Sequence, residues 1–406
     1  MRTLNRNLTL LLGGQFISQI GDKFYALALA FWVLQTTGSP ASMGMVLFAS
    51  TLPSVVLGFF TGGFVDRYSR KAILVAADVV RALTILAVTA VYYLGGLSLA
   101  VIIAAQVVLS ASAAFFNPAV LSTVPQIVPE ERLGKANGMS QLLSGTANIA
   151  GPILGGLAVS YLGYEFVFAF NAASFIVSAL CEAGLRLPKV SKADGAKPQL
   201  REQLAGGYAY ILSKRNICVL LGVVAIVHFF VGAVQVLMPV LANSLSGSGA
   251  ENLGYIETAF GAGIMACALL LNRLNFKGRE SFGMFAGITA IGAVITAAGL
   301  LSSLGVRTVL PYLAAFFLLS AAVILVSTNY TVILQKTVDN AMAGRVFGIV
   351  GSVGNFTLPI SMLVFGWMLN SVSTGVIAML CGGFVLLICL ALALAYRAKI
   401  IPLPNT

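Results

Sequence analysis

Asp22 and Lys23 lie in the middle of an apolar run that extends from about Leu8 to Leu34. A helix built on that run places Asp22 about 21 Å from its start, at about 1.5 Å per residue. That depth is well inside a hydrocarbon core about 30 Å thick. An ionised side chain there costs about 2.5–3.5 kcal/mol even on a lenient insertion scale. A carboxyl at that depth therefore has a chemistry open to it: binding and releasing a proton. Gln15, Ser18, Gln19 and Asp22 fall at i, i+3, i+4 and i+7, one face of a helix. A polar stripe on a membrane helix faces protein or a water-filled cavity. Lys23 points about 100° away on a helix of 3.6 residues per turn, so it is available to a substrate anion or to another acid. Three roles fit Asp22: carrying or gating a coupling proton, fixing helix packing as an ion pair with Lys23, or touching substrate directly. The first is the expectation adopted.

Other polar groups sit at similar depth in other apolar runs. Glu257 is a second proton candidate, with Arg307 or a hydroxyl as its alternative structural partner. His228, the single histidine, ordinarily titrates near neutral pH and suits a proton relay; a lone histidine also serves as a hydrogen-bonded core residue. Gln235 lies seven residues on, on the same face. Gln106, Ser110 and Asn117 share one run, and Ser320, Ser327 and Asn329 another. Asp78 and Arg81, three apart on one helical face, read as an internal ion pair. Glu182, near the end of its run, reads as interfacial.

The elements that must position these groups follow from composition. The chain has 406 residues, of which 59% are hydrophobic and 9% charged, and its mean hydropathy is +0.96. A soluble domain carries about 25% charged residues. Twelve apolar runs appear at roughly 8–34, 41–64, 72–94, 98–118, 137–160, 163–185, 216–243, 252–274, 282–303, 308–333, 344–370 and 374–396. Each is long enough to span and lacks the alternation of barrel strands. The expected fold is an all-α membrane protein with twelve transmembrane helices. The first run has no signal-peptide cleavage pattern and reads as a retained span.

The polar stretch 186–215 divides the chain into a six-helix bundle (1–186), a cytoplasmic linker (187–215) and a second six-helix bundle (216–406). Leu200, Leu204, Tyr208, Ile211 and Leu212 share one face in the linker, which suggests an amphipathic helix on the cytoplasmic surface; a plain flexible linker is the alternative. The halves read as pseudo-repeats offset by about 210 residues. Gly44 aligns with Gly254, and Asn148 with Pro152 matches Asn355 with Pro359.

The net charge of +11 comes with a strong asymmetry. All of the 24 Lys and Arg except Lys23, Arg81 and Arg307 fall on one side of the twelve-span arrangement. That is the positive-inside bias; it puts both termini in the cytoplasm and argues against nucleic-acid binding. The five cysteines, an odd number without a CxxC, read as small buried hydrophobes.

Three motifs carry a resemblance. "GGFVDRYSRKAIL" (62–74) is similar to the loop signature of the major facilitator superfamily, with Gly62, Asp66, Arg67, Arg70 and Lys71 in the signature positions. It departs at Ser69, where the pattern has Gly; Ser69 could instead N-cap the third helix. "ANIAGPILGG" (147–156) resembles the antiporter motif of the fifth helix, with Gly151, Pro152, Gly155 and Gly156. Gly21 with Asp22, the stretch Asp78 to Ala82, "PEERLGKANG" and "AGRVFG" together resemble the drug:proton antiporter branch, specifically macrolide-efflux proteins and the enterobactin exporter.

The resemblance implies the major facilitator fold of two six-helix pseudo-repeats. It implies that Asp66 meets the start of the eleventh helix, with Arg345 as a further partner, in a conformational latch that also draws on Asp78 and Arg81. It implies a central cavity lined by the first, fourth, seventh and tenth helices. Gln15, Gln19, Lys23, Gln106, Asn117, Gln235 and Asn329 are then the substrate-cavity candidates, and Asp22, Glu257 and His228 the proton-coupling candidates. Phe24, Tyr25, Phe31, Trp32, Phe115, Phe116, Phe229, Phe230 and Tyr330 would suit a bulky amphipathic cargo, although most aromatics in such helices face core or lipid.

The expected function is export of a drug, macrolide or siderophore by proton antiport with alternating access. A dedicated metabolite importer or a lipid flippase of the same fold is the alternative. One histidine, no HExxH and no phosphate-binding loop argue against an enzyme. The expectation is no metal and no cofactor beyond a proton gradient, a small-molecule substrate and the bilayer as partners, no nucleic acid, a monomer, and location in a bacterial inner membrane.

Overall fold

A computed structural model describes residues 2–187, 200–271, 279–339 and 342–397. Every regular element among them is helical. Before the linker lie α1 (Arg2–Thr37), α2 (Pro40–Arg67), α3 (Arg70–Tyr93), α4 (Leu99–Ile127) and α5 (Leu133–Ala183). The linker helix is α6 (Leu200–Ser213). After it come α7 (Arg215–Ser244), α8 (Gly249–Leu271), α9 (Glu280–Ser303), α10 (Leu310–Thr337), α11 (Ala343–Met368) and α12 (Thr374–Arg397).

At about 1.5 Å per residue, the 51 residues of α5 would measure about 76 Å, more than two bilayer cores. The helix is broken at Gly163, where φ is 83° and ψ 174°. An L side chain rarely adopts that backbone, so glycine is what permits the turn. The two limbs are the fifth and sixth spans. Among the described residues, ten helices are long and apolar enough to cross a membrane. The two limbs of α5 count separately, and α1 joins them as a span that its charged and polar residues had masked. Twelve spans result.

Short polar signals start the helices. Ser39, Ser69 and Ser98 each accept a hydrogen bond from the backbone N–H three residues on, at 3.4 Å. Ser69 thus caps α3. The signature loop is shorter than its sequence suggests: Asp66 and Arg67 fall in the last turn of α2, and only Tyr68 and Ser69 connect the helices.

Contacts group the chain into two compact units, residues 1–193 with 247–258, and 194–246 with 259–406. In the first, α1 packs along α5, α3 on both α4 and α5, and α2 on α4. In the second, α7 packs on α11, and α9 on both α10 and α12. Taking the limbs of α5 as two helices, α1–α5, α3–α4 and α3–α5 in the first unit correspond to α7–α11, α9–α10 and α9–α12 in the second. That is the packing signature of a sequence repeat. Small residues set these contacts: Gly292 and Gly382, and Gly299 and Gly375, bring the α9 and α12 backbones together.

α6 is folded, and it belongs to the second unit. Its apolar residues divide between a packed face and an exposed one. Ile211 is buried, whereas Tyr208 and Leu212 are exposed; the side chains of Leu200 and Leu204 lie outside the described residues. Gly207 approaches Ile349 and Arg345 of α11, and the Tyr210 hydroxyl donates to Asp339 Oδ2 at 2.8 Å. A glycine-lined contact is invisible to a reading of amphipathicity, so α6 docks on α11 through a face that the pattern did not mark.

Gly14 and Gly21 of α1 face the second limb of α5. A Cβ on Gly21 would overlap Ser174 Oγ and lie 2.7 Å from Asn171 Oδ1. Gly21→Val should therefore destabilise the first unit by about 1–3 kcal/mol, the usual cost of overpacking. A lowered unfolding midpoint in detergent checks this; an unchanged midpoint would show that α1 and α5 are not in close contact.

Candidate functional site

A polar cavity of ≈ 240 Å³ opens within the first unit. Asp22, Tyr25, Ala26, Leu29 and Ala30 line it from α1, with Met43, Val46, Leu47 and Ser50 from α2. Arg81 closes it from α3, Gln106, Leu109, Ser110 and Ala113 from α4, and Phe175 from α5. Its lining is mostly apolar, with Asp22, Tyr25, Ser50, Arg81, Gln106 and Ser110 as the polar groups. The Gln106 amide donates to the Tyr25 hydroxyl oxygen at 3.4 Å, and Ser110 Oγ accepts from the Ser54 backbone N–H at 3.0 Å.

Among the described residues, Arg81 is the one cation lining this cavity. It lies 3.1 Å from Asp78 Oδ1, with Asp78 fully buried behind it. Its guanidinium sits 4.5 Å from the Phe116 ring centroid and 5.6 Å from that of Phe175. A planar, weakly hydrated cation tolerates such a low-dielectric site when aromatic faces and a carboxylate replace water. Asp22 is exposed to the cavity, and Arg81 is the main cation acting on it, ahead of Lys23.

Glu182 corrects the expectation of an interfacial side chain. It is fully buried, and neither carboxyl oxygen has a hydrogen-bond partner. Asp78 and Arg81 are the charged groups acting on it. The second limb of α5 runs on to Ala183 inside the bundle and turns Glu182 toward α3. Position at the end of an apolar run had suggested water; only the α3–α5 packing shows otherwise.

The other candidates on α1 and α4 take different environments. Gln15 and Ser18 are buried, Gln19 and Lys23 half-buried, and Asn117 exposed. Of the four-residue stripe on α1, Asp22 alone lines the cavity.

The antiporter motif holds the first limb of α5 against two neighbours. Gly151 leaves room for the stem of Lys23, with 2.6 Å from a notional Cβ to Lys23 Cβ, and Gly155 leaves room for Phe24. Gly156 meets the Ala250 carbonyl, and Gly254 meets that of Pro152, with gaps of 2.6 and 2.7 Å. The Thr258 hydroxyl donates to the Ile149 carbonyl at 2.9 Å, and Ser160 and Ser248 hydroxyls pair at 2.8 Å. Lys23 is the cation acting on Glu257.

In the second unit the candidates are more dispersed. His228 Nδ1 lies 2.9 Å from the Val224 carbonyl. A carbonyl only accepts, so Nδ1 is the donor there, and Nε2 lies toward Gly354. Gln235 is exposed. Asn329 is buried, donates to the Leu325 carbonyl at 2.8 Å and nests on Gly283 of α9. Ser320 likewise packs on Gly263. Among the signature residues, Arg67 and Arg345 are exposed and Arg70 half-buried. Lys71 Nζ donates to the Leu185 carbonyl at 2.9 Å, a cation at the end of a helix. The surroundings of Gly62 and the side chain of Asp66 lie outside the described residues.

Removing Lys23 would take away the cation that acts on Glu257 in low-dielectric surroundings. Lys23→Met should lower thermal stability, and Lys23→Met with Glu257→Gln should recover part of the loss, with a coupling of about 0.5–3 kcal/mol in the double-mutant cycle. Strictly additive losses would show that the two groups do not interact.

Comparisons with known proteins agree with this geometry. The chain is 28% identical over 389 residues to the uncharacterised MFS-type transporter YfiS of Bacillus subtilis, covering 94% of this chain and 91% of the relative. It is 24% identical over 380 residues to macrolide efflux protein A of Streptococcus pyogenes, covering 93% of each. It is 26% identical over 370 residues to the multidrug efflux pump Tap of Mycolicibacterium fortuitum, covering 88% of each. Among solved structures, the nucleoside transporter NupG superposes with a TM-score of 0.78 at 12% identity, covering 98% of this chain and 100% of NupG. The POT family transporter PepTSo gives 0.71 at 12%, covering 97% and 98%. These two likenesses speak to fold. A model of the Major Facilitator Superfamily matches residues 11–360, and the chain, a multi-pass membrane protein, belongs to that transporter family.

Proposed function

We infer that the protein exports bulky amphipathic small molecules, macrolides or other drugs, by proton antiport across a bacterial inner membrane, with both termini in the cytoplasm. The observation that carries the reading is the cavity built around Asp22: one accessible carboxyl, one guanidinium and an amide–hydroxyl pair on an otherwise apolar wall. Ligand sites of drug-sized molecules occupy about 300–1,000 Å³ and combine apolar walls with few polar anchors. A cavity of ≈ 240 Å³ suits one end of such a molecule. The names of the relatives, macrolide efflux protein A and multidrug efflux pump Tap, support the same cargo class.

The coupling follows from charge. Ionised Asp22 attracts the cationic end of a substrate; protonated Asp22 does not. Proton and substrate then lower each other's affinity by the same factor, as linkage requires. A transporter that carries one ligand outward and the other inward through such a site performs antiport. The glycine contacts between α5 and the start of α8 supply a seam that small residues let open and close.

Growth inhibition in an efflux-deficient bacterial host tests the function. Wild type should raise resistance to macrolides or cationic dyes several-fold over empty vector. Asp22→Asn at equal expression should return it to background. Full resistance in Asp22→Asn would remove Asp22 from the coupling site, and no resistance to macrolides, dyes, phenicols or siderophores would overturn drug export.

A further inference from the structure

Asp78 and Glu182 hold more acceptor capacity than the bundle satisfies. Asp78 Oδ1 takes the Arg81 ion pair, but Oδ2 is buried without a partner. Both oxygens of Glu182 are buried without one; the Ser178 hydroxyl beside them is the one neutral donor that acts on Asp78. Asp78 is a charged group acting on Glu182. An ionised carboxylate only accepts hydrogen bonds, so two facing carboxylates cannot satisfy each other. A proton on one turns it into a donor to the other.

Charge balance points the same way. The groups facing Glu182 are Asp78 and Arg81 from α3 and Cys181 from its own helix. α4 carries no ionisable residue. On α1, Asp22 reaches the cluster through Arg81. Lys71, the next cation on α3, is committed to the Leu185 carbonyl. Three carboxyls therefore share one guanidinium.

We propose that Glu182 and Asp78 form a second proton site, in which Glu182 holds the proton at neutral pH and donates it to Asp78. Arg81 joins this site to Asp22. When Asp22 ionises, it competes for Arg81, and Asp78 leans more on the Glu182 proton; when Asp22 is neutral, Arg81 serves Asp78 alone. The Glu182 proton thereby keeps Asp78 accommodated through both states of Asp22. The idea deepens the antiport reading, but its test needs neither substrate nor gradient, so either can fail alone.

The experiment is infrared spectroscopy of the purified full-length protein at neutral pH, wild type against Glu182→Gln. The expected difference is loss of one protonated-carboxyl C=O band, shifted in deuterium oxide. Loss of ionised-carboxylate bands instead would overturn the proposal. If Glu182→Gln does not fold, the wild type is treated with dicyclohexylcarbodiimide, which modifies protonated carboxyls in apolar surroundings, and mapped by mass spectrometry. Modification of Glu182 that declines at high pH supports the site. An unmodified Glu182 in a fully covered peptide contradicts it.

Discussion

A guanidinium buried in a membrane bundle has to be surrounded by groups that replace water, and the first unit is arranged around that demand. Arg81 takes Asp78 as its counter-charge and the rings of Phe116 and Phe175 as its walls. To meet it, α3 must present one face to α4 and α5 together, and the second limb of α5 must return along α3. The break at Gly163 makes that return possible. The same guanidinium borders the cavity that Asp22 lines, so the site's accessible acid and its buried ion pair are electrostatically one system. Removing one partner of a buried pair costs several times more than a surface pair contributes, which ties the bundle's packing to the site's charge state.

Glycine does the complementary task of bringing backbones close. Gly14 and Gly21 let α1 lie against one limb of α5, and Gly151 and Gly155 let it lie against the other. Asp22 and Lys23 are thus carried on a helix clasped from both sides. They diverge from there: Asp22 faces the cavity with Arg81, while Lys23 runs over Gly151 and acts on Glu257. Arg81 of α3 is the main cation acting on Asp22, and Lys23 in turn acts on Glu257 of α8.

Much of the fold was legible in the sequence. Apolar runs of spanning length gave twelve helices, and the gap between runs at 160 and 163 coincides with the Gly163 break. Ser69, a departure from the family pattern, was readable as a cap because a serine oxygen can accept from the first turn of a helix. The site was legible in part. Depth in the membrane singled out Asp22, and the three-residue spacing singled out Asp78 and Arg81. Periodicity, however, reports which residues share a face and not what that face meets. Asn329 and Ser320 looked like cavity groups, yet they rest on Gly283 and Gly263, glycines of other helices that no single-chain pattern pairs with them. Glu182 failed in the opposite direction, because its place at the end of a run hid a burial that depends on α3.

We propose that substrate and proton move in opposite directions through a site governed by Asp22. It is tested most directly in liposomes that contain the purified protein, with a pH-sensitive dye trapped inside. An imposed gradient of a cationic dye such as ethidium should drive a counter-flow of protons through wild type, and Asp22→Asn should abolish that flow. Ethidium movement with no accompanying proton flux in wild type, or an undiminished proton flux in Asp22→Asn, would contradict the account.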